Sequence, residues 1–311
     1  MKPAEIILKD CLGVKPHEKV LIITDKERLD IAKDILEQAK KISDAKLIEI
    51  PVGKVAGEEP PEQLAKEMPE YDVIIAPTTK SLTHTNALKV ACFSGARAAT
   101  LPGITKDMLE RAIPIDYNVM ATETNKIADI LNKGKQVHIT TKAGTDIKFS
   151  IENRTTKPDT GMLKGPGIYG NLPAGEAFLA PVENTANGKI VFDASMIGKI
   201  KTPITVEVED GFVVKIQGKE EAEELKKVLE SIKDKNAYNI AELGIGTNPK
   251  AIISGNVLED EKVKGTAHIA VGKNSSFGGK IDVPIHLDGI FENPTISVDG
   301  KTIIQDGEFL V

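Results

Sequence analysis

Five residues in the C-terminal half are of the types that bind metal ions: Glu176, Glu242, His268, His286 and Asp288. Histidine is scarce, with five in the whole chain, so two within this set carry weight. His286 and Asp288 are separated by one residue. On a strand, alternate side chains share a face, so an imidazole and a carboxylate would lie side by side. Val283–Asp288 reads as such a strand, and His268 lies in another, Thr266–Val271. Glu176 and Glu242 stand in runs of small residues that read as loops, Ala174-Gly175-Glu176-Ala177 and Ala241-Glu242-Leu243-Gly244. Imidazole together with carboxylate suits zinc, cobalt, manganese or iron. Three carboxylates and two imidazoles could hold two metals, one carboxylate bridging, as in cocatalytic hydrolases with metals roughly 3.5–4 Å apart. Each residue taken singly also has a plain reading: an ordinary hydrogen-bonded His–Asp pair, or a solvated or capping carboxylate.

The elements that must position these residues fall into two textures. Up to about residue 133, short apolar runs alternate with helical periodicity. Lys19–Thr24, Lys46–Ile50, Asp72–Ala76 and Ala98–Leu101 read as strands. Arg28–Ile42, Pro61–Glu67, Thr85–Phe93, Lys106–Ala112 and Asn118–Lys133 read as helices. Alternation of this kind predicts an α/β domain with a parallel sheet over residues 1–133. From Gly134 onward strands dominate: Val137–Thr141, Asp146–Ile151, Lys189–Asp193, Ile204–Glu209, Phe212–Gln217, Thr295–Val298 and Thr302–Gln305. Asp210-Gly211 and Asp299-Gly300 are hairpin turns by composition. One charged helix, Lys219–Lys233, interrupts them. Residues 134–311 are therefore expected to form a β-rich α+β domain that carries the metal site.

Bulk properties exclude several classes. The 311-residue chain is 41% hydrophobic, enough for a sizeable core, and its net charge of −6 comes from interspersed charges of both signs. It has no basic run and no basic–aromatic patch, so nucleic acid is not an expected partner. Neither a signal-like segment nor an apolar stretch of about 18 residues is present, so no membrane association is expected. Cys11 and Cys92 have no metal-like spacing and read as reduced thiols, which makes a cytoplasmic location the expectation.

Four blocks resemble, in order, the M29 family of metal-dependent aminopeptidases. Gly170–Ser195 is similar to the family's segment with the first metal-binding glutamate, and Ala241–Ala251 to the segment with the second. Gly265–Gly272 resembles the stretch with the first histidine ligand, and Ile285–Asp288 the His-x-Asp pair. Val298–Leu310 resembles the family's C-terminal hairpin. The resemblance implies Glu176, Glu242, His268, His286 and Asp288 as ligands of two divalent metals, zinc, cobalt or manganese. It implies a homodimer that releases N-terminal residues from small peptides through a metal-bound water, with a carboxylate near the metals shuttling the proton and Glu176 and Ser275 as the candidate catalytic residues. One position departs from the family. Its active-site tyrosine, seven residues after the first histidine, is Ser275 here, and a serine neither reaches as far nor donates as acidic a proton. Tyr169 and Tyr238 are candidates to replace it. The segment between the two histidines is also shorter than in typical members. Some relatives of this fold resemble mononuclear iron enzymes that open hydroxylated pyridine rings with dioxygen. His268, His286 and Asp288 would then be a two-histidine, one-carboxylate set for one Fe(II). A third possibility is a binding protein that keeps the fold without the activity.

Other signals are weaker. Gly165–Gly170 matches G-x-G-x-x-G literally, but its polar, loop-like setting is wrong for a dinucleotide fingerprint, and it reads as a glycine-rich loop at the site entrance. Ser275–Lys280 lacks P-loop spacing and reads as a turn between site strands, from which Ser276 or Lys280 could touch substrate. Thr78, Thr79 and His84 follow a strand and could line a cleft, or be a cap with a surface histidine. Asp193 and Glu183, inside the first matched block, could support the metal ligands.

Overall fold

A computed structural model describes residues 1–311. It is a mixed α/β structure of two compact units. Residues 1–118 with 159–174 form the first, and residues 119–158 with 175–311 the second.

The first unit is built on a five-stranded sheet in which all pairings are parallel. Its strands β1 (Lys19–Thr24), β2 (Asp44–Glu49), β3 (Val73–Ala76) and β4 (Arg97–Thr100) lie in the order β2-β1-β3-β4. A parallel sheet is covered on both faces, which is why β1 and β3 are continuous apolar runs with no alternation. The helices are α1 (Pro3–Ile6), α2 (Leu29–Ala39), α3 (Glu62–Glu67), α4 (Asn86–Phe93) and α5 (Lys106–Ala112). On α2 the buried residues Ile31, Ala32, Ile35 and Ala39 recur at helical spacing and form its inner stripe. Thr85 caps α4 by accepting from the Leu88 amide, and Thr105 caps α5 through the Met108 amide. The unit boundary falls within α6 (Tyr117–Lys133).

Two antiparallel sheets make up the second unit. Strands β5 (Gln136–Thr140) and β6 (Asp146–Ser150) belong to an eight-stranded sheet, whereas β7 (Lys157–Asp159) is at the edge of a five-stranded one. The chain then returns to the first unit, where β8 (Tyr169–Asn171) pairs parallel with β4. Gly170 therefore sits in a strand, not in a glycine-rich entrance loop. Strands β9 (Glu176–Leu179), β10 (Asn187–Phe192), β11 (Ile204–Glu209) and β12 (Phe212–Gln217) follow, then α7 (Glu220–Ile232). After β13 (Ile240–Gly246), α8 (Val257–Asp260) and β14 (Thr266–Gly272) come β15 (His286–Glu292), β16 (Thr295–Val298), β17 (Lys301–Gln305) and β18 (Glu308–Phe309). The larger sheet has the order β12-β11-β10-β6-β5-β16-β17-β18, and the smaller β15-β14-β13-β9-β7. Asp210-Gly211, Asp299-Gly300 and Asp306-Gly307 all have positive φ at both positions, which fits the twist of two-residue hairpins. Side chains of both sheets and of α7, among them Phe149, Phe192, Leu225, Leu243, Ile269 and Phe291, share one continuous core.

Candidate metal centre

The site is written into the register of the smaller sheet. On β15–β14, Asp288 pairs with Ala270 and His286 with Gly272. On β14–β13, Ala270 pairs with Glu242 and His268 with Gly244. On β13–β9, Gly246 pairs with Glu176. Paired residues point to the same face. All five predicted metal-binding residues therefore converge on one face, and each large polar side chain has a glycine or alanine opposite it. Gly244 shows why: a Cβ there would lie 2.0 Å from Cε1 and 2.1 Å from Nε2 of His268. An irregularity in the β13–β14 pairing between Ile240 and Glu242 immediately precedes the Glu242 side chain and re-aims it.

Two local expectations need correction. Glu176 and Glu242 are on strands β9 and β13, not in loops. β13 is buried throughout, so it has no alternation, and its small residues are clearances for neighbouring side chains. The strand carrying His286 and Asp288 starts at His286 and runs to Glu292 rather than covering Val283–Asp288. Pro284 has no amide hydrogen to give a ladder, whereas residues 286–292 pair fully with β14.

The distances describe a compact donor set. His268 Nε2 lies 3.3 Å from Glu176 Oε2 and 3.4 Å from Glu242 Oε1. His286 Nε2 lies 3.3 Å from Glu242 Oε2 and 3.3 Å from Asp288 Oδ1. Glu242 is thus shared by two groups, one with Glu176 and His268, the other with His286 and Asp288. His286 Nδ1 donates to the Lys273 carbonyl at 2.7 Å, which turns the Nε2 lone pair towards the carboxylates. His268 has no such anchor on Nδ1 and is held by packing against Gly244. Phe277 stands edge-on to His286, with ring centroids 5.7 Å apart, and edge-on to Phe178 at 5.8 Å.

Sequence reasoning missed two members, Glu261 and Lys262. The Lys262 ammonium is bonded to Glu176 Oε1 and lies 2.8 Å from Glu261 Oε1, with its side chain 2% exposed. A buried lysine beside a metal-type cluster leaves no periodic mark, and its setting after α8 reads as surface. Only the charge of its acidic neighbours hinted at it.

Electrostatically, burial and neighbouring charges pull the members of the cluster in opposite directions. Burial pushes the Glu176 carboxyl up to about 8, against the pull of Lys262. Burial likewise raises Glu261. For His268 burial favours the neutral ring, but Glu242, Glu176 and Asp288 outweigh it and hold the imidazole up at about 9. For His286 burial is again outweighed, by Asp288 and Glu242, and its value rises well above the ordinary one. Burial opposes the charge on Asp288, yet His286 brings that carboxyl down to about 2. Glu176 Oε2 and Asp288 Oδ1 are buried without a hydrogen-bond donor. Nitrogen and oxygen donors 3.3–3.4 Å apart are spaced as the corners of a first-row metal's coordination shell with bonds of about 2.1 Å. The residues present fit a divalent metal.

Ser275 is not part of this set. It is exposed on a short 3-10 turn, Ser275–Phe277, and its hydroxyl donates to Asp282 at 3.3 Å. Arg154 and Glu183 tether the segment after it: Arg154 donates to the Gly278 carbonyl and pairs with Glu183, which accepts from Lys280 N and Asn274. Asp193 accepts from the Glu292 amide at 3.1 Å, at the far end of β15. In the first unit, Thr79 binds Asp25 through its amide and hydroxyl. Thr78 donates to the Lys80 carbonyl, so these threonines have structural partners.

Fold and site together define a domain of mixed α/β build with a candidate metal-binding cluster on one sheet face. A profile of the 2,5-dihydroxypyridine 5,6-dioxygenase (NicX) family matches residues 5–311, and the chain belongs to that family of enzymes. The 2,5-dihydroxypyridine 5,6-dioxygenase of Pseudomonas putida is 29% identical over 222 residues, 65% of this chain and 61% of that enzyme. The match thus spans less than two thirds of that relative's length. The solved 2,5-dihydroxypyridine dioxygenase from Pseudomonas putida KT2440 superposes with a TM-score of 0.84 at 22% identity, covering 99% of this chain and 96% of that one. Wild-type AmpT from Thermus thermophilus gives a TM-score of 0.73 at 16% identity, covering 99% and 98%. The M29 resemblance therefore holds for the fold and fails for the activity. The expected aminopeptidase, its small-peptide substrate and its place among proteases are corrected by the family match, which names a ring-cleaving dioxygenase. At the position of the peptidases' tyrosine stands Ser275, exposed and turned to Asp282. No helix is long and apolar enough to cross a membrane.

Proposed function

We propose that this chain is a non-haem iron dioxygenase that opens the ring of a hydroxylated pyridine, with 2,5-dihydroxypyridine as the first substrate to try. The observation that carries the reading is a family match over residues 5–311 in a chain whose sheet gathers two imidazoles and buried carboxylates on one face. His268, His286 and Asp288 are the proposed ligands, with Glu242 between the two rings and Glu176 at the edge of the set. A two-histidine, one-carboxylate set with open positions suits Fe(II), which when bound supplies the redox chemistry of ring opening by dioxygen.

The chain's own residues would prepare that chemistry. Lys273 fixes the His286 tautomer through its carbonyl. Phe277 stands beside His286 and is itself backed edge-on by Phe178, an aromatic wall against which a flat ring can lie. Gly244, Ala270 and Gly246 put no bulky side chain opposite His268, Glu242 and Glu176, so the donor set keeps its spacing.

The test is oxygen uptake by protein loaded with Fe(II) without air, with 2,5-dihydroxypyridine and, separately, with dipeptides. Uptake with the pyridine and no peptide cleavage is the expected result. Peptide cleavage without oxygen consumption would overturn it.

A further inference from the structure

The segment joining β14 to β15 has a base and a tip with different surroundings. At the base, the Lys273 carbonyl accepts from His286 Nδ1, and the Lys273 amide donates to the Ile285 carbonyl at 2.8 Å. At the tip, Phe277 is half-buried against His286 and Phe178. Phe178 belongs to the same face as the donor set: Gly244 pairs with both Phe178 and His268, so Phe178 stands across that glycine from the imidazole. Around the tip lie Arg154 and Glu183, an ion pair outside the ligand set, each side chain only 12% exposed. From these contacts we infer that Arg154 and Glu183 are positioning residues for Phe277. They hold the tip so that Phe277 offers a fixed wall to a flat aromatic ring, and they set ring affinity without acting on the metal. That role presupposes the ring-opening reading of this face and adds to it the control of ring binding. Glu183 thereby serves the aromatic wall and not the metal ligands.

The tip is closed on itself around Asn274, which is fully buried. The Asn274 amide donates to the Ile281 carbonyl at 3.0 Å, and its Oδ1 accepts from the Ile281 amide at 2.8 Å. Its carbonyl accepts from the Phe277 and Gly279 amides. A Cβ on Gly279 would lie 1.9 Å from Asn274 Cγ, so the loop has no slack inside and must move as one piece. Outwardly it is poorly covered: Ser275, Ser276, Gly278 and Lys280 are exposed. Its fastenings run through the ion pair. Glu183 Oε1 accepts from the Lys280 amide at 2.7 Å and from Asn274 Nδ2 at 3.1 Å. Arg154 donates to the Gly278 carbonyl with one arm of its fork and to Glu183 Oε2 with the other. Lys157 adds one exposed bond to the Ser276 carbonyl at 3.1 Å. Both tethering residues are anchored near β6. The Val182 amide donates to the Ser150 carbonyl at 2.8 Å, the Thr185 hydroxyl accepts from the Ser150 amide at 3.0 Å, and the Arg154 amide donates to the Ile151 carbonyl at 3.1 Å. The pair thus ties the tip of a small-sheet connection to the larger sheet. Hydrogen bonds with a charged partner are the stronger ones, so losing the pair should free the tip while the base stays fastened.

The experiment is a double-mutant cycle on the full chain loaded with Fe(II) without air, read by calorimetric titration with 2,5-dihydroxypyridine, so that the ring binds and is not turned over. Arg154→Met should weaken ring binding about tenfold, the result of a tip that holds Phe277 in place roughly a tenth of the time. Its Fe(II) affinity should stay within about twofold, because His286 is oriented from the base, whereas loss of a support that orients a ligand costs on the order of 10–100-fold. Phe277→Ala should weaken ring binding at least as much, and the double variant no more than Phe277→Ala alone, since Arg154 acts through Phe277. Arg154→Lys, which keeps the charge and loses the fork, should fall between the unaltered chain and Arg154→Met. In air, the KM for the pyridine should rise in step with the dissociation constant while kcat stays within about threefold. Unchanged ring affinity in Arg154→Met, weakening of its Fe(II) affinity by about tenfold or more, or losses that multiply in the double variant would each overturn the proposal. If Arg154→Met does not fold, Glu183→Gln, which keeps an acceptor for Lys280 and Asn274 and removes the charge, runs the same cycle. Ring binding that follows this cycle with no oxygen uptake would uphold the inference and sink the catalytic reading. Oxygen uptake with a ring affinity indifferent to both tethering residues would do the reverse, and a chain that binds no ring would overturn both.

Discussion

In the first unit, Glu18 and Arg97 meet as one carboxylate and one guanidinium. Arg97 donates to both oxygens of Glu18, at 2.9 and 2.7 Å, and to the carbonyls of Leu12 and Gly13. The Lys15 amide completes Glu18. In the second unit, Glu176, Glu242, Glu261 and Asp288 share one lysine and two imidazoles, and two of their oxygens have no donor. Both clusters are buried. The first is balanced and finished, so its task is to hold the chain between α1 and β1 to the end of the sheet. The second is unbalanced in donors and acceptors: Glu176 Oε2 and Asp288 Oδ1 are buried with no donor, and a bound cation would satisfy them. Unfilled buried acceptors, rather than burial or perturbed pKa alone, separate this cluster from a structural ion pair.

That contrast can be broken by substitution, most severely at the unbalanced cluster. His268→Ala removes a donor flanked by Glu176 and Glu242. It should abolish metal retention and bring oxygen uptake to background while the far-ultraviolet circular dichroism stays native. Full metal content in this variant would refute the assignment of His268.

At the balanced cluster the effect should fall on stability alone. Glu18→Gln leaves a buried guanidinium short of its counter-charge and should cost about 3–5 kcal/mol in urea unfolding, with metal content unchanged. Burial pushes the Glu18 carboxyl up, but Arg97 and the Lys15 amide prevail and hold it below the ordinary carboxylate value. A depressed value means that this stability is fully present above the unfolded carboxylate pKa of about 4.3 and is lost as pH falls through the folded one. The acid limb of the stability profile should therefore be shallower in Glu18→Gln than in the unaltered chain. An identical limb would place the acid sensitivity elsewhere.

The smallest effect sharpens the comparison inside the site. Gly244→Ala sets a methyl group against the His268 ring. It should cost about 1–3 kcal/mol from overpacking and weaken metal binding by roughly 10–100-fold as the ring turns away. Unchanged affinity would mean that packing on Gly244 does not orient His268.

Much of the architecture could be read from residue order. The runs Lys19–Thr24, Ile204–Glu209 and Phe212–Gln217 are strands with the expected limits, and Lys106–Ala112 is the expected helix. These segments have strong local signals: continuous β-branched residues, a cap, or an Asp-Gly turn. The return of Tyr169–Asn171 to the first sheet left no such signal, because a three-residue parallel strand depends on a partner far away in sequence. The candidate ligands were legible as residue types, and His286 with Asp288 as neighbours on a strand. Their convergence was not, since it arises from register across four strands and from glycines that mean nothing until the opposite residue is known. Lys262 was invisible for the same reason. The activity was misjudged where resemblance in the ligand segments outweighed one missing tyrosine; the full-length family match corrected it.

The central claim is that the cluster serves a reaction with dioxygen. The most direct test is labelling: Fe(II)-loaded protein turned over with 2,5-dihydroxypyridine under ¹⁸O₂, with the product analysed by mass spectrometry. Both labelled oxygen atoms are expected in the ring-opened product. Ring opening or hydrolysis with oxygen drawn from water, and no label retained, would contradict it.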